Sequence, residues 1–205
     1  KLELESGETL RADRLCLAMN ACDSSRLLSA TAPDLSRELS GIRYDSIASV
    51  NLAYKPEDVP GRTPGFGFFV PASGEAYPFS SLKWIGKTGD GKNILLRAFI
   101  SKTLLPEVFH QSDEMLLREI QNFLRKFFNI YALPKFSSVE RYPNALPQYE
   151  TGHLERVARI EEKTNGYPGL YLTGNGFRGF GITDCIRNAQ SAADRILRSF
   201  QGPRS

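Results

Sequence analysis

Apolar residues fall in short blocks along this chain, and the spacing inside each block predicts its element. Arg14-Leu-Cys-Leu-Ala-Met19 is a nearly continuous apolar run between polar residues, the pattern of a strand buried on both faces. A hairpin precedes it, with Lys1-Leu-Glu-Leu-Glu5 and Thr9-Leu-Arg11 flanking a turn at Ser6-Gly7. Asn20 to Ser24 reads as a turn, and Ser25 to Leu28 as the start of a short helix. Four strand-like runs follow, Ile47–Tyr54, Gly65–Val70, Tyr77–Trp84 and Ile94–Ile100, separated by Pro, Gly and Asp turns. Consecutive strands without helices between them favour an antiparallel sheet.

The pattern then changes period. Leu116, Ile120, Phe123, Leu124 and Phe127 repeat at helical spacing after Ser112, a suitable N-cap, with Asp113 and Glu114 at the positive end of the dipole. Lys135 to Tyr142 reads as a strand broken by Pro143 and Pro147, and Gly152 to Glu162 as an amphipathic helix. Last come a short buried strand from Gly169, a glycine-dense turn, and a helix reaching Leu197. The outer segments, 1–40 and 138–205, read as a parallel-sheet nucleotide domain. The middle, 41–137, reads as an inserted antiparallel sheet covered by the Ser112 helix, so the fold class is α/β combined with α+β.

Composition narrows this picture only a little. The 205 residues are 41% hydrophobic and 11% aromatic, enough for a substantial core. A net charge of +3, with scattered basic residues, argues against nucleic acid. No apolar run approaches the roughly 20 residues that span a bilayer. Cys16, Cys22 and Cys185 show no metal-ligand spacing, and a reducing cytoplasm is the simpler setting. The opening at Lys1, inside a hairpin, suggests a piece of something longer.

Chemistry concentrates in the last turn. Gly174, Gly176 and Gly179 form a literal G-x-G-x-x-G, with Gly181 beyond. A Rossmann fingerprint needs a further strand and an acidic residue about 20 positions on, and the helix leaves no room for either. Thr183 or Asp184 is expected to cap that helix. Glycines at 174, 179 and 181 remove Cβ atoms that would keep a flat ligand away, and a flavin suits the helix N-terminus because reduction places negative charge there. A tight strand-to-helix turn explains the same glycines, and on local grounds both readings stand.

Tyr171-Leu-Thr-Gly-Asn-Gly-Phe-Arg-Gly-Phe-Gly-Ile-Thr-Asp-Cys-Ile186 resembles the C-terminal flavin motif of the protoporphyrinogen/coproporphyrinogen oxidases, a branch of the amine-oxidase-like FAD flavoenzymes. Arg141-Tyr-Pro-Asn-Ala-Leu-Pro-Gln-Tyr-Glu-Thr-Gly-His-Leu-Glu-Arg156 resembles a second element of that family. Weaker likenesses lie at Ser46–Tyr54, Gly65–Pro71 and Leu95–Phe99, so the resemblance runs over essentially the whole chain. It implies the C-terminal part of a Rossmann-like FAD-binding domain, interrupted by a substrate domain. The half that holds the FAD pyrophosphate would precede Lys1, and this chain alone would be inactive.

Residue by residue, the resemblance places Phe180, Gly181 and Ile182 along the flavin ring, Gly174 at the preceding strand end, and Tyr142 against the isoalloxazine. Phe66 and Phe69 fall at positions that pack on the tetrapyrrole, although alternate aromatics on a strand are usually core. The implied activity is stepwise hydride removal from protoporphyrinogen IX or coproporphyrinogen III to flavin N5, with molecular oxygen reoxidising the flavin, as a step of haem biosynthesis. No side chain is assigned as a catalytic acid, base or nucleophile, and no metal is implied.

Other residues have plainer roles. His153 is expected to bond local backbone, with orienting a substrate as the other reading, His110 to be solvated, and Arg97 to sit on a sheet edge, although it could meet a propionate. Cys185 is expected one turn into a buried helix. The Met115–Phe128 stripe fits a core-facing helix, with peripheral membrane contact as the other reading. Two alternatives remain for function: another amine-oxidase-like flavoenzyme, such as a phytoene desaturase or amine oxidase, or a non-catalytic module that binds a porphyrin or a partner.

Overall fold

The computed structural model describes residues 1–60, 66–70, 77–88 and 91–201. In chain order the elements are β1 (Leu2–Glu3), β2 (Thr9–Leu10), β3 (Leu15–Ala18), α1 (Ala21–Leu28), α2 (Pro33–Ser40), β4 (Tyr44–Tyr54), β5 (Gly67–Phe69), β6 (Ser81–Lys87), β7 (Ile94–Ser101), α3 (Pro106–Phe109), α4 (Asp113–Phe128), β8 (Phe136–Pro147), α5 (His153–Asn165), β9 (Leu170–Thr173) and α6 (Ile182–Phe200). They form two compact units, one made of Lys1–Tyr44 with Pro147–Ser205, the other of Asp45–Leu146.

In the first unit β3 and β9 pair in parallel, from Leu15 opposite Leu170 to Ala18 opposite Thr173. Leu15, Leu17, Leu170 and Leu172 share a face and pack on a core of Ala21, Leu28, Leu35, Leu39, Val157 and Ile160. Cys16 and Ala18 alternate onto the other face and are exposed, so β3 is not buried on both faces as its apolar run suggests. α6 is also more open than expected: Ala192 is its one buried residue, and Ile186, Leu197 and Phe200 are exposed. Cys185 therefore lies half-buried near a surface rather than inside a buried helix.

α1 begins at Ala21, four residues ahead of the expected start at Ser25. The reason is tertiary. The Tyr44 hydroxyl accepts from the Ala21 N–H at 3.0 Å and so satisfies a first-turn donor that the Asn20 side chain does not cap.

The second unit is a five-stranded sheet in the order β5-β6-β7-β4-β8, antiparallel from β5 through β4. One face carries Val50, Leu52, Leu82, Leu96, Ala98 and Ile100 against Leu116, Ile120, Phe123 and Leu124 of α4. The helix thus spends its apolar stripe on the core, as its period predicts. Ser112 caps it by accepting from the Met115 N–H at 3.3 Å.

Two expectations change here. β8 runs through Pro143 to Pro147 instead of breaking, because it is an edge strand and proline there removes no inter-strand donor. Its residues 138–146, counted with the outer segment above, belong to this sheet. Arg97, expected at an edge, sits on β7 in the centre of the sheet.

Candidate functional site

The turn between β9 and α6 is held from several sides. Tyr149 donates its hydroxyl to the Asn175 carbonyl at 2.7 Å and accepts from the Gly179 N–H at 3.0 Å, bridging the turn. Its ring stacks on His153 at 3.9 Å and meets Phe180 edge-on at 5.7 Å. His153 is buried and its Nε2 lies 2.8 Å from the Phe177 carbonyl, a backbone contact, though to a residue 24 positions away rather than a local one. Tyr44 donates to Asn175 Oδ1 at 3.2 Å, and burial pushes its phenol pKa up to about 12. Arg178 reaches Glu161 with two bonds of 2.8 and 2.7 Å, and Asn188 donates to the Arg178 carbonyl at 3.1 Å. With Phe177 buried in the core, the turn is a preorganised unit rather than a slack loop.

Internal packing accounts for most of the glycines. Gly174 has φ +137° and Gly179 φ +102°, conformations that L side chains rarely adopt. A Cβ on Gly174 would lie 2.9 Å from the Met19 carbonyl oxygen, and one on Gly179 2.6 Å from Asp184. On Gly176 it would lie 2.3 Å from the Tyr44 hydroxyl. Gly181 differs. Its φ is −66°, and an added Cβ would meet only Asp184 Oδ2, at 3.2 Å.

Gly181 is itself the N-cap of α6, so neither Thr183 nor Asp184 is the cap residue, and the helix has no side-chain cap hydrogen bond. That end presents unpaired N–H groups and the positive pole of the dipole. Beside it Phe180 is 56% exposed and Ile182 82% exposed. Donors, a missing Cβ and two open apolar side chains fit a flat, electron-rich ring such as a flavin. Gly174, Phe180, Gly181 and Ile182 thus fall on one turn. A cavity of about 370 Å³ between α5, β9 and α6, lined by Leu172, Arg178 and Arg195 among others, includes none of these four.

The remaining candidates lie in the second unit. Tyr142, on β8, is half-exposed. Phe66 is 88% and Phe69 80% exposed, so the core reading fails for both; Phe68 between them packs on the core instead. Gly65 and Pro71, which flank this run, lie outside the described residues. His110 is exposed, as expected. Among the described residues no cluster of His, Cys, Asp or Glu could hold a metal ion, and no helix is long and apolar enough to cross a membrane.

Two tyrosines that organise the turn, Tyr44 and Tyr149, were not singled out from the sequence. Tyr149 stands inside the Arg141–Arg156 element that carries part of the family resemblance. Nothing local marks Tyr44, which lies 131 residues from its partner Asn175.

Comparison with known proteins bears on this geometry. A family model for flavin containing amine oxidoreductases matches residues 1–197. Coproporphyrinogen III oxidase of Bacillus subtilis (strain 168) is 31% identical over 201 residues, which cover 96% of this chain and 42% of that protein. Protoporphyrinogen oxidase of Bos taurus is 28% identical, over 96% of this chain and 43% of its own. A solved structure from Exiguobacterium sp. 255-15, assigned as a protoporphyrinogen oxidase, superposes with a TM-score of 0.74 at 26% identity, covering 91% of this chain and 42% of that one. The chain spans less than half the length of each of these relatives. It belongs to the flavin-containing amine oxidoreductases, a family whose members use a flavin cofactor.

Proposed function

We propose that this chain is the part of an FAD-dependent porphyrinogen oxidase that faces the flavin ring and the tetrapyrrole. The observation that carries the reading is the uncapped N-terminus of α6 with Gly181, Phe180 and Ile182 around it. The names of the relatives, coproporphyrinogen III and protoporphyrinogen oxidases, support the substrate class. The unit containing α6 takes the FAD-binding role, and the unit built on the β4–β8 sheet takes the substrate.

Bound FAD supplies the oxidising chemistry, with molecular oxygen as the final acceptor. The first-turn N–H groups of α6 stabilise negative charge on the ring, Gly181 permits close approach, and Phe180 and Ile182 exclude water from its edge. Gly174 and Gly179 shape the turn so that these groups converge. Phe66 and Phe69, both open on the second unit, would pack on the tetrapyrrole. The product is a porphyrin on the route to haem, made in the cytoplasm.

Gly181→Ala separates the ligand from the fold. Alanine at this N-cap costs about 1 kcal/mol or less in stability, whereas flavin affinity falls at least about tenfold if the ring lies against Gly181. The measurement is FAD titration of the intact gene product and its variant, followed by turnover of coproporphyrinogen III and protoporphyrinogen IX by porphyrin fluorescence. Unchanged FAD affinity in the variant, or turnover of amines but not porphyrinogens, would sink the reading. Failure to bind FAD at all would favour a non-catalytic binding module.

A further inference from the structure

The face of the β4–β8 sheet opposite the α4 core carries two cations in one row. Lys83 on β6 stands opposite Arg97 on β7, and Arg97 stands opposite Asn51 on β4, so all three share a face. Arg97 is half-buried on the central strand, where a charge without a counter-ion is costly. Its Nε donates to Asn51 Oδ1 at 2.6 Å, and Asn51 Nδ2 donates to Ser138 Oγ at 3.2 Å. The asparagine is thus oriented by β8 and in turn fixes the guanidinium. Among the described residues Arg97 has no acidic partner, and its two terminal nitrogens have no acceptor. Lys83 also has no acidic partner there, and its Nζ lies 5.6 Å from the Phe99 ring centroid.

The next row of the same face reads Phe69, Ser81, Phe99, Ser49. Strand spacing puts Phe69 and Phe99 about 10 Å apart, two strands across. Between them in their own row lies only Ser81, and the adjoining row on β5 and β6 holds Gly67 and Lys83. A broad apolar platform therefore borders a pair of uncompensated cations. That combination suits a flat apolar molecule with carboxylates at its rim, because guanidinium forks bind carboxylate with two parallel bonds.

We infer that Arg97 and Lys83 form a carboxylate subsite on the open sheet face, with Asn51 as a positioning residue, taking a propionate of the tetrapyrrole. This inference rests on the porphyrinogen reading above and adds the group by which the substrate is gripped.

The test uses the intact gene product with excess FAD and two probes in the same detergent, coproporphyrin III and its tetramethyl ester, followed by fluorescence. Arg97→Gln weakens binding of the acid about tenfold, the loss of one charge-assisted fork. Lys83→Gln, on a more exposed cation, weakens it about threefold. Both leave the ester unchanged, and added salt weakens acid binding more in the parent protein than in Arg97→Gln. Arg97→Lys, which keeps the charge but loses the fork, falls between. Equal losses for acid and ester would mean that Arg97 only shapes the sheet, and the inference fails. Unchanged acid binding in both Gln variants also overturns it, while leaving the oxidase reading intact. If the parent binds neither probe and oxidises no porphyrinogen, both readings fall. Lys83→Gln, at an exposed position, keeps the test alive should Arg97→Gln not fold.

Discussion

Adding one methyl group at Gly176 tests whether the flavin-facing turn is locked to the rest of its unit through Tyr44. An alanine Cβ there would sit 2.3 Å from the Tyr44 hydroxyl oxygen and 3.4 Å from Ala21 Cβ. Carbon and oxygen do not approach so closely, so the hydroxyl must withdraw by about 1 Å. It then loses the Ala21 N–H at 3.0 Å and Asn175 Oδ1 at 3.2 Å. Each such bond contributes about 0.5–1.5 kcal/mol net, and a buried donor left unpaired costs about 1–3 kcal/mol. Ala21 is fully buried, so its N–H has no ready water. Gly176→Ala should therefore cost about 2–4 kcal/mol. Alanine's smaller unfolded-state entropy returns only a few tenths of that, up to about 1 kcal/mol.

Tyr44→Phe deletes the offending oxygen along with its bonds and should cost about 1–3 kcal/mol on its own. In that background the new methyl meets the ring carbon and Ala21 Cβ, each at 3.4 Å, the near edge of ordinary contact. Gly176→Ala then adds less than about 1 kcal/mol, leaving a coupling energy of about 1–3 kcal/mol between the two sites. Urea unfolding of the parent, both single variants and the double variant measures this cycle. Additivity within about 0.5 kcal/mol would refute the reasoning, since it would mean that Tyr44 and the turn do not bear on one another.

Two further outcomes follow from the same geometry. Tyr149→Phe keeps the stack on His153 but removes the hydroxyl that joins Asn175 to Gly179. Amide exchange at Gly179 should accelerate about tenfold and FAD should bind more weakly, with overall stability down by about 1–2 kcal/mol; unchanged exchange would show that the bridge is dispensable. Tyr54 is fully buried, its hydroxyl has no partner among the described residues, and burial pushes its pKa from the usual 10.0 to about 12. The raised folded-state value means that its share of stability is intact below pH 10 and lost as pH climbs towards 12. Tyr54→Phe should be neutral or mildly stabilising at pH 7 and lose less stability than the parent by pH 11, as read from Tm at the two pH values.

Local pattern carried much of the fold. The α4 period, its Ser112 cap, the β4 and β7 runs and the strand–turn–helix unit from Gly169 onward were all legible, because each depends on residues a few positions apart. The family likeness was legible too, since its motifs are contiguous. What the sequence alone could not supply were partners brought together from far along the chain. Pro143 reads as a strand breaker until the sheet order places β8 at an edge. Arg97 reads as an edge residue until registry sets it between Lys83 and Asn51 on the central strand. Phe66, Phe68 and Phe69 are equally apolar in sequence, and only packing sends Phe68 to the core while leaving the other two open. Gly176 reads as a flexible turn glycine, yet its missing Cβ makes room for Tyr44, a side chain from a strand more than a hundred residues earlier. Periodicity and backbone sterics act over one or two turns of chain, so sequence determines which elements form. Which faces are covered, which charges lack partners and which turns are locked depend on distant surfaces meeting, and only the tertiary structure decides them.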